Sequence, residues 1–204
     1  GLPLTIKDSF LVKGLKNCKK EEAKSEPGVM DAIEGVQNLN KAADAMKDYE
    51  KKIEELKKLE PVSNEVYKQT LTESLGDLKR KSFNAGNTAA MGLSSGEAAY
   101  SDESGKTVKV SIFDGAGEMG SAVVQMTYLT LSMESESIQN TTTKKTEIID
   151  GIKCLTEDDT DPNNIHSSIT FIHNDRFNVT IEGSQMELDE LKNYMKKVDL
   201  SKLN

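Results

Sequence analysis

The sequence predicts an α+β fold in which a long N-terminal amphipathic helix precedes a pseudo-duplicated antiparallel sheet with two helices packed on one face. Three observations carry this expectation. Apolar residues recur at steps of three and four through residues 29–60, the period of a helix. From about residue 76 the period falls to two, with Gly, Asn and Asp at the breaks, as in strands joined by tight turns. Finally, EAAYSDESGKTVKVSIFDGAGEMGSAVVQM (97–126) and SITFIHNDRFNVTIEGSQMELDELKNYM (168–195) share one plan of hairpin, Gly-containing turn and helix. A plan that recurs in this way suggests internal duplication.

The elements follow in order. Residues 1–28 are rich in Lys and Glu from Lys16 onward and end in Ser25-Glu26-Pro27-Gly28, the composition of a tail or linker. Lys7, Asp8 and Lys13 interrupt the apolar run that a signal peptide needs. Residues 29–60 carry Val29, Ile33, Val36, Leu39, Ala43, Met46, Tyr49, Ile53, Leu56 and Leu59 between polar positions, and Pro61 stops the pattern. A helix of that extent is about 45 Å long. Its narrow stripe has a mean step close to the heptad value, so it either rests on its own domain or pairs with another helix in an oligomer.

Residues 61–204 form the predicted sheet domain. Residues 63–71 read as a short helix capped by Ser63. Strands are expected at Leu78–Phe83, Ser95–Ser101 and Lys106–Asp114, the last two joined by Asp102-Glu103-Ser104-Gly105. Met119, Ala122, Val123, Met126, Leu129 and Met133 then make a helix face. Strands at Lys144–Ile149 and Ile152–Thr156 precede a loop from Glu157 to His166. Strands Ser168–His173 and Phe177–Glu182 flank the turn Asn174-Asp175-Arg176, and a last helix carries Met186, Leu188, Leu191, Tyr194, Met195 and Val198.

Composition narrows the function classes. The net charge of −8 argues against a nucleic-acid binder, which needs a dense cationic face to replace counterions. The absence of Trp and the scarcity of Phe and Tyr argue against a large aromatic-lined cleft. Two cysteines, Cys18 and Cys154, make no disulfide framework, and Cys154 falls in an apolar alternation as a small core residue would.

Several motifs invite a chemical reading. Gly115-Ala116-Gly117-Glu118-Met119-Gly120 is a literal GxGxxG between a strand and a helix. A dinucleotide site also needs a buried parallel strand and a return strand ending in an acid. Here the strand alternates apolar and polar inside a hairpin, and residues 134–145 are polar, so a Gly-rich turn with Asp114 or Ser121 near the helix start is expected, with no cofactor. Asp159-Thr160-Asp161-Pro162-Asn163 has the first ligand positions of a calcium loop. It has Asn164 where the loop needs Gly and Thr170 where it needs Glu, so an acidic hairpin loop is expected and no metal site. His166 and His173 are an odd number apart and face opposite sides of a regular strand. No Ser or Cys nucleophile stands in a recognisable elbow.

Asn17-Cys18-Lys19-Lys20-Glu21-Glu22 is similar to the start of mature bacterial lipoproteins of the Bacteroidetes type, with Asn17 where Gly, Ala or Ser is usual. A second resemblance covers Leu71 to Leu203. It is carried by Leu71–Arg80, Glu97-Ala98-Ala99-Tyr100, Val108–Asp114, Arg176–Gly183, Asp189-Glu190-Leu191-Lys192 and Val198-Asp199-Leu200. These resemble a family of uncharacterised envelope lipoprotein domains, with Leu78 where an aromatic is expected. The resemblance implies lipid attachment at Cys18, anchorage to a membrane through that lipid, and a place in the cell envelope facing the periplasm or outside.

Together these features predict a non-enzymatic envelope lipoprotein that binds or scaffolds an envelope protein. The expected surface is the exposed edge of the 29–60 helix and a sheet face free of helices. The alternative is a carrier holding an apolar ligand between sheet and helices, against Met119, Met126, Met133, Met186 and Met195. A weaker alternative is an enzyme using Asp114 or the Asp158, Asp159 and Asp161 loop.

Overall fold

Strands that alternate polar and apolar residues bury one face and expose the other, and a computed structural model of the chain follows that rule. It describes residues 49–88 and 93–204. The predicted tail, Cys18 and residues 29–48 of the predicted helix lie outside them. In chain order the elements are α1 (49–56), α2 (Asn64–Thr70), β1 (Ser74–Leu75), β2 (Leu78–Thr88), β3 (Leu93–Ser101) and β4 (Thr107–Asp114). There follow α3 (Gly117–Ser132), β5 (Glu136–Gln139), β6 (Thr142–Ile149), β7 (Ile152–Asp159), β8 (His166–His173), β9 (Phe177–Ser184) and α4 (Leu188–Met195).

The strands form one open antiparallel sheet in the order β1-β2-β3-β4-β9-β8-β7-β6-β5. Residues opposite one another share a face, so the register defines rows across the sheet. One row runs Phe83, Ala98, Val110, Ile181, Ile169 and Thr156, and its members from Ala98 onward are buried. This first face holds the main core, closed by Tyr67 of α2, Leu71 just after it, Leu191 and Tyr194 of α4, and Leu203. Gly96 of β3 lies directly under Tyr67, where a Cβ would come within 2.5 Å of the ring. The glycine therefore sets how closely α2 approaches the sheet.

Turns of two and three residues hold the β6–β7 and β8–β9 hairpins. Asp150-Gly151 joins β6 to β7, and Asn174-Asp175 precedes β9, all four with positive φ. That conformation matches the right-handed twist of paired strands and favours Asn, Asp and Gly. The first of these turns explains why the strand boundaries at Ile149 and Ile152 were legible. Strand pairing reaches further than expected: β2, expected to end at Phe83, runs to Thr88, and β3, β6, β8 and β9 each gain two residues. β7 runs to Asp159, through residues read as loop, and the polar stretch after α3 contains β5. Threonine and charged residues make these strands, because pairing with β6 determines their extension rather than apolar alternation.

The expected placement of both helices on one face is not what forms. Helix α4 packs over the first face, where a Cβ on Gly183 would meet Leu191 at 3.2 Å. Helix α3 packs on the second face, where Asn178 donates to Thr127 Oγ1 at 2.9 Å. Asn178 and Gly183 lie on opposite faces because they are an odd number apart along β9. The connections explain the difference. Gly115-Ala116 joins β4 to α3, whereas three residues, 185–187, join β9 to α4. In the longer link Gln185 takes a φ of 56°, and Met186 returns to the core at 1% exposure. One extra residue turns the chain to the other face. Of the long predicted helix, the described part is α1, and it ends before Lys57-Lys58-Leu59 rather than at residue 60.

A buried ion pair joins the connections at one end of the sheet. Asp114, fully buried at the end of β4, accepts from Arg176 Nε at 2.7 Å and from Nη2 at 2.9 Å. It also accepts the Val62 amide at 2.8 Å and the Ala116 amide at 2.9 Å. Arg176 donates onward to the Glu60 and Asn204 carbonyls. Removing one member leaves the other charged, desolvated and unpaired, which costs about 3–5 kcal/mol. Asp114→Ala is therefore expected to lower stability by about that amount, read from urea denaturation midpoints. A loss below about 1 kcal/mol, the range of an exposed pair, would show that the hub is not structural.

Candidate functional site

Helix α3 is built differently from its surroundings. In a chain with 29% charged residues, GEMGSAVVQMTYLTLS contains a single charge, Glu118. Its buried positions are Gly120, Ser121, Val124 and Leu131. The small residues face inward because the Gly-rich turn brings the helix very close to β4. A Cβ on Gly120 would lie 2.5 Å from the Asp114 carbonyl oxygen, and one on Gly115 would collide with the Arg176 carbonyl and Val124. With the small side spent on close approach, the large side faces out. Met119 is 49% exposed, Met126 72%, Leu129 48% and Met133 59%.

This stripe runs the length of α3, about 24 Å at 1.5 Å per residue. It continues toward Ile148, which is 72% exposed and two residues along β6 from Thr146, whose hydroxyl donates to the Met133 carbonyl at 2.9 Å. Contiguous apolar surface of a few hundred Å² marks an interaction site on most soluble domains. The sequence named these residues as one helix face, and the expected packing of that helix on the sheet turned them inward. The signal for the opposite reading was present in Gly120 and Ser121. Small residues mark the side of a helix that packs tightly.

Helix α1 flanks α3. Tyr49 stacks on Tyr128 with ring centroids 3.6 Å apart and donates to the Val124 carbonyl at 3.1 Å. Burial raises its phenol pKa well above the ordinary tyrosine value. Ile53 and Leu56 form a small cluster with Val124. So the described part of the predicted stripe rests on its own domain, and its exposed edge is charged, with Glu50, Lys51, Glu54 and Glu55. Beside Tyr49 and Tyr128 opens a cleft of about 560 Å³, also lined by Leu131, Ile152, Ile172 and Lys153.

The rest of the second sheet face is polar. The row Ala99, Lys109, Glu182, Ser168, Glu157 and Lys144 crosses it. Its charges satisfy one another, Lys109 with Glu182 at 2.5 Å and Lys144 with Glu157 at 2.8 Å. This helix-free area was an expected binding surface, but it presents paired charges rather than apolar or unpaired groups.

The other sequence candidates are dispersed. In the GAGEMG turn the Gly115 amide donates to the Arg176 carbonyl at 2.9 Å and the Ala116 amide to Asp114. These amides serve the fold, not a phosphate. Ser121 donates to the Glu118 carbonyl within the helix. Asp159 accepts the Asp161 amide and Asp161 the Asn163 amide, a pair of Asx turns that shape the loop. Asp158 accepts the Leu188 amide at 3.1 Å, at the start of α4. Among the described residues, no three His, Cys, Asp or Glu side chains gather around a common point. His166 and His173 stand at the two ends of β8. Cys154 is fully buried, and burial pushes its thiol up to about 12. The five methionines also divide, for Met186 and Met195 are core while Met119, Met126 and Met133 are exposed.

Comparison with family models, with curated proteins and with solved structures finds no match to this chain.

Two outcomes follow from this geometry. Gly117 has a φ of 80°, where a Cβ costs about 1–2 kcal/mol. Gly117→Ala should lower the urea midpoint accordingly, while calorimetric titration with NAD shows no binding before or after the change. His173 concerns pH. Burial, outweighing contacts with the Leu200 and Leu203 backbone, holds its imidazole below the ordinary value, and Nε2 is buried without a hydrogen-bond partner among the described residues. Below about pH 6.5 the unfolded chain therefore takes up more protons than the folded one, and stability falls with pH through that window. His173→Gln should lose less stability than the parent between pH 7 and pH 5. Equal losses would show that His173 does not titrate in this way.

Proposed function

We propose that this chain is a non-enzymatic cell-envelope lipoprotein, anchored through Cys18, that binds or scaffolds another envelope component through the outward face of α3. One observation carries the reading. Met119, Met126, Leu129 and Met133 stand in water on a helix with one charge. Each is already partly covered, so completing its burial is worth about 1–2 kcal/mol, which the isolated domain leaves unused. Methionine suits the task, since its unbranched, polarizable side chain adapts to an irregular partner surface. A lipid at Cys18 would hold the chain at the membrane.

The test is a photo-crosslinking amino acid at position 126 in the native host. The expected result is a discrete crosslinked adduct in the membrane fraction that is lost when the crosslinker is moved to Lys109 on the polar sheet face. Cys18→Ala should release the protein from membranes and abolish the adduct while leaving the melting temperature unchanged. Equal adducts from both positions, or a Cys18 found without lipid by mass spectrometry of native protein, would refute the proposal.

A carrier of an apolar small ligand is the second reading, favoured by the cleft beside the stacked Tyr49 and Tyr128. Its size falls within the range of small-molecule sites. Saturable binding of a fluorescent fatty acid that Tyr128→Ala weakens would support this reading over the first.

A further inference from the structure

Resting on the docking face just described, we infer that its occupant is an amphipathic helix whose apolar stripe ends in lysine or arginine. Two features of the face specify this. The first is spacing. Met119, Ala122, Met126, Leu129 and Met133 alternate steps of three and four, the knob pattern that one helix offers to another, and both Ala122 and Gln125 beside it are exposed. A flat strand or a loop matches this ridge poorly, whereas a second helix inserts side chains on both sides of Ala122.

The second feature is charge. The stripe is uncharged, but its ends are not. Glu118 stands at one end and Glu134 and Glu136 at the other, all exposed. Among the described residues none of the three is in an ion pair, although Lys153 lines one hollow with Glu134 and Glu136 and Lys57 lies near enough to Glu118 to feel its charge. Lys57, on the α1 side of Glu118, bonds Glu54, and Lys145, opposite Glu136 across the β5–β6 pair, turns its ammonium to Glu147. A partner helix with cations at its ends meets three acids on this face that are in no ion pair among the described residues.

The same charges disfavour two other occupants. A second copy pairing antiparallel would set Glu118 against Glu134 and Glu136 of its mate, and pairing parallel would set each acid against itself. Each subunit would also bring a net charge of −8 to the contact. A lipid surface attracts helices that carry Lys or Arg on the polar face; α3 has neither, and its acidic ends oppose anionic headgroups.

The experiment uses the full chain with methyl-¹³C methionine, whose signals are assigned by single Met→Leu changes. Three synthetic helical peptides of about 18 residues share a leucine stripe and differ only at their ends, which carry lysine, glutamine or glutamate. The lysine-ended peptide should shift the Met119, Met126 and Met133 methyls and leave the buried Met186 and Met195 unmoved. It should bind about tenfold tighter than the glutamate-ended one at low salt, the gap narrowing as salt rises. Met126→Gln with Leu129→Gln should weaken it about tenfold, as expected when central contacts are lost. Glu118→Gln, Glu134→Gln and Glu136→Gln together should make the three peptides equivalent. Equal affinity of all three peptides for the parent chain would overturn the inference, as would shifts away from the stripe. So would concentration-dependent sedimentation abolished by Met126→Gln, which would identify a second copy as the occupant. If no peptide binds while the position-126 crosslink persists in the native host, the charge inference fails and the docking face stands. Loss of that crosslink as well removes both.

Discussion

Asp114 and Arg176 are the interaction on which the arrangement turns. The pair unites the end of β4, the turn before β9, the link between α1 and α2, and the C-terminal residue. A buried ion pair is rarely the cheapest way to stabilise a core, since desolvation offsets much of the attraction. Its value here is directional. One carboxylate accepts four donors from three segments, and a planar guanidinium reaches two further carbonyls, so the connections meet in one geometry. Because β4 and β9 are the central pair of the sheet, this geometry also aligns the two hairpins that resemble each other in sequence.

From that end of the sheet the position of α3 follows. Gly115 and Gly120 allow its first turn to lie against Asp114 and Arg176 where any side chain would collide. The close approach selects the small-residue side of the helix for burial, and the four large apolar residues are left outside as a consequence. α4, reached through a longer link, follows the ordinary rule. Leu188, Leu191, Tyr194 and Met195 point into the core, and its charged residues face water. The two halves thus share a plan but not a result, and only the first half keeps an apolar face unburied.

The structure therefore divides its surface. The open sheet face carries charges that neutralise one another, the described part of α1 carries a mixed charged edge, and α3 presents an uncharged ridge whose end acids are in no ion pair among the described residues. Paired charges on a surface contribute little to recognition because each partner is already satisfied. Apolar area and unpaired charge are what a second molecule gains from contacting. This contrast supports a binding role located on one helix.

The local pattern determined much of this protein. Period-two alternation and the Asp150-Gly151 and Asn174-Asp175 turns placed most strands, because strand and turn preferences are properties of short segments. The same alternation placed Cys154 inside. Even the composition of the candidate site was legible, for its residues were named as one face of one helix. Which way that face pointed was not. Helical periodicity identifies a stripe but carries no information about whether sheet or solvent lies beyond it. That was decided by the distance at which α3 meets β4, which depends on contacts from residue 176, far away in sequence. The strands β5 and the end of β7 escaped for a related reason: their extension comes from cross-strand hydrogen bonds to β6 rather than from their own side chains. The face chosen by each helix likewise depended on the length and backbone conformation of a two- or three-residue link, read against the parity of the strand before it. Periodicity is a property of the chain; the side on which it is spent is a property of the assembled fold, because close packing couples residues that sequence keeps apart.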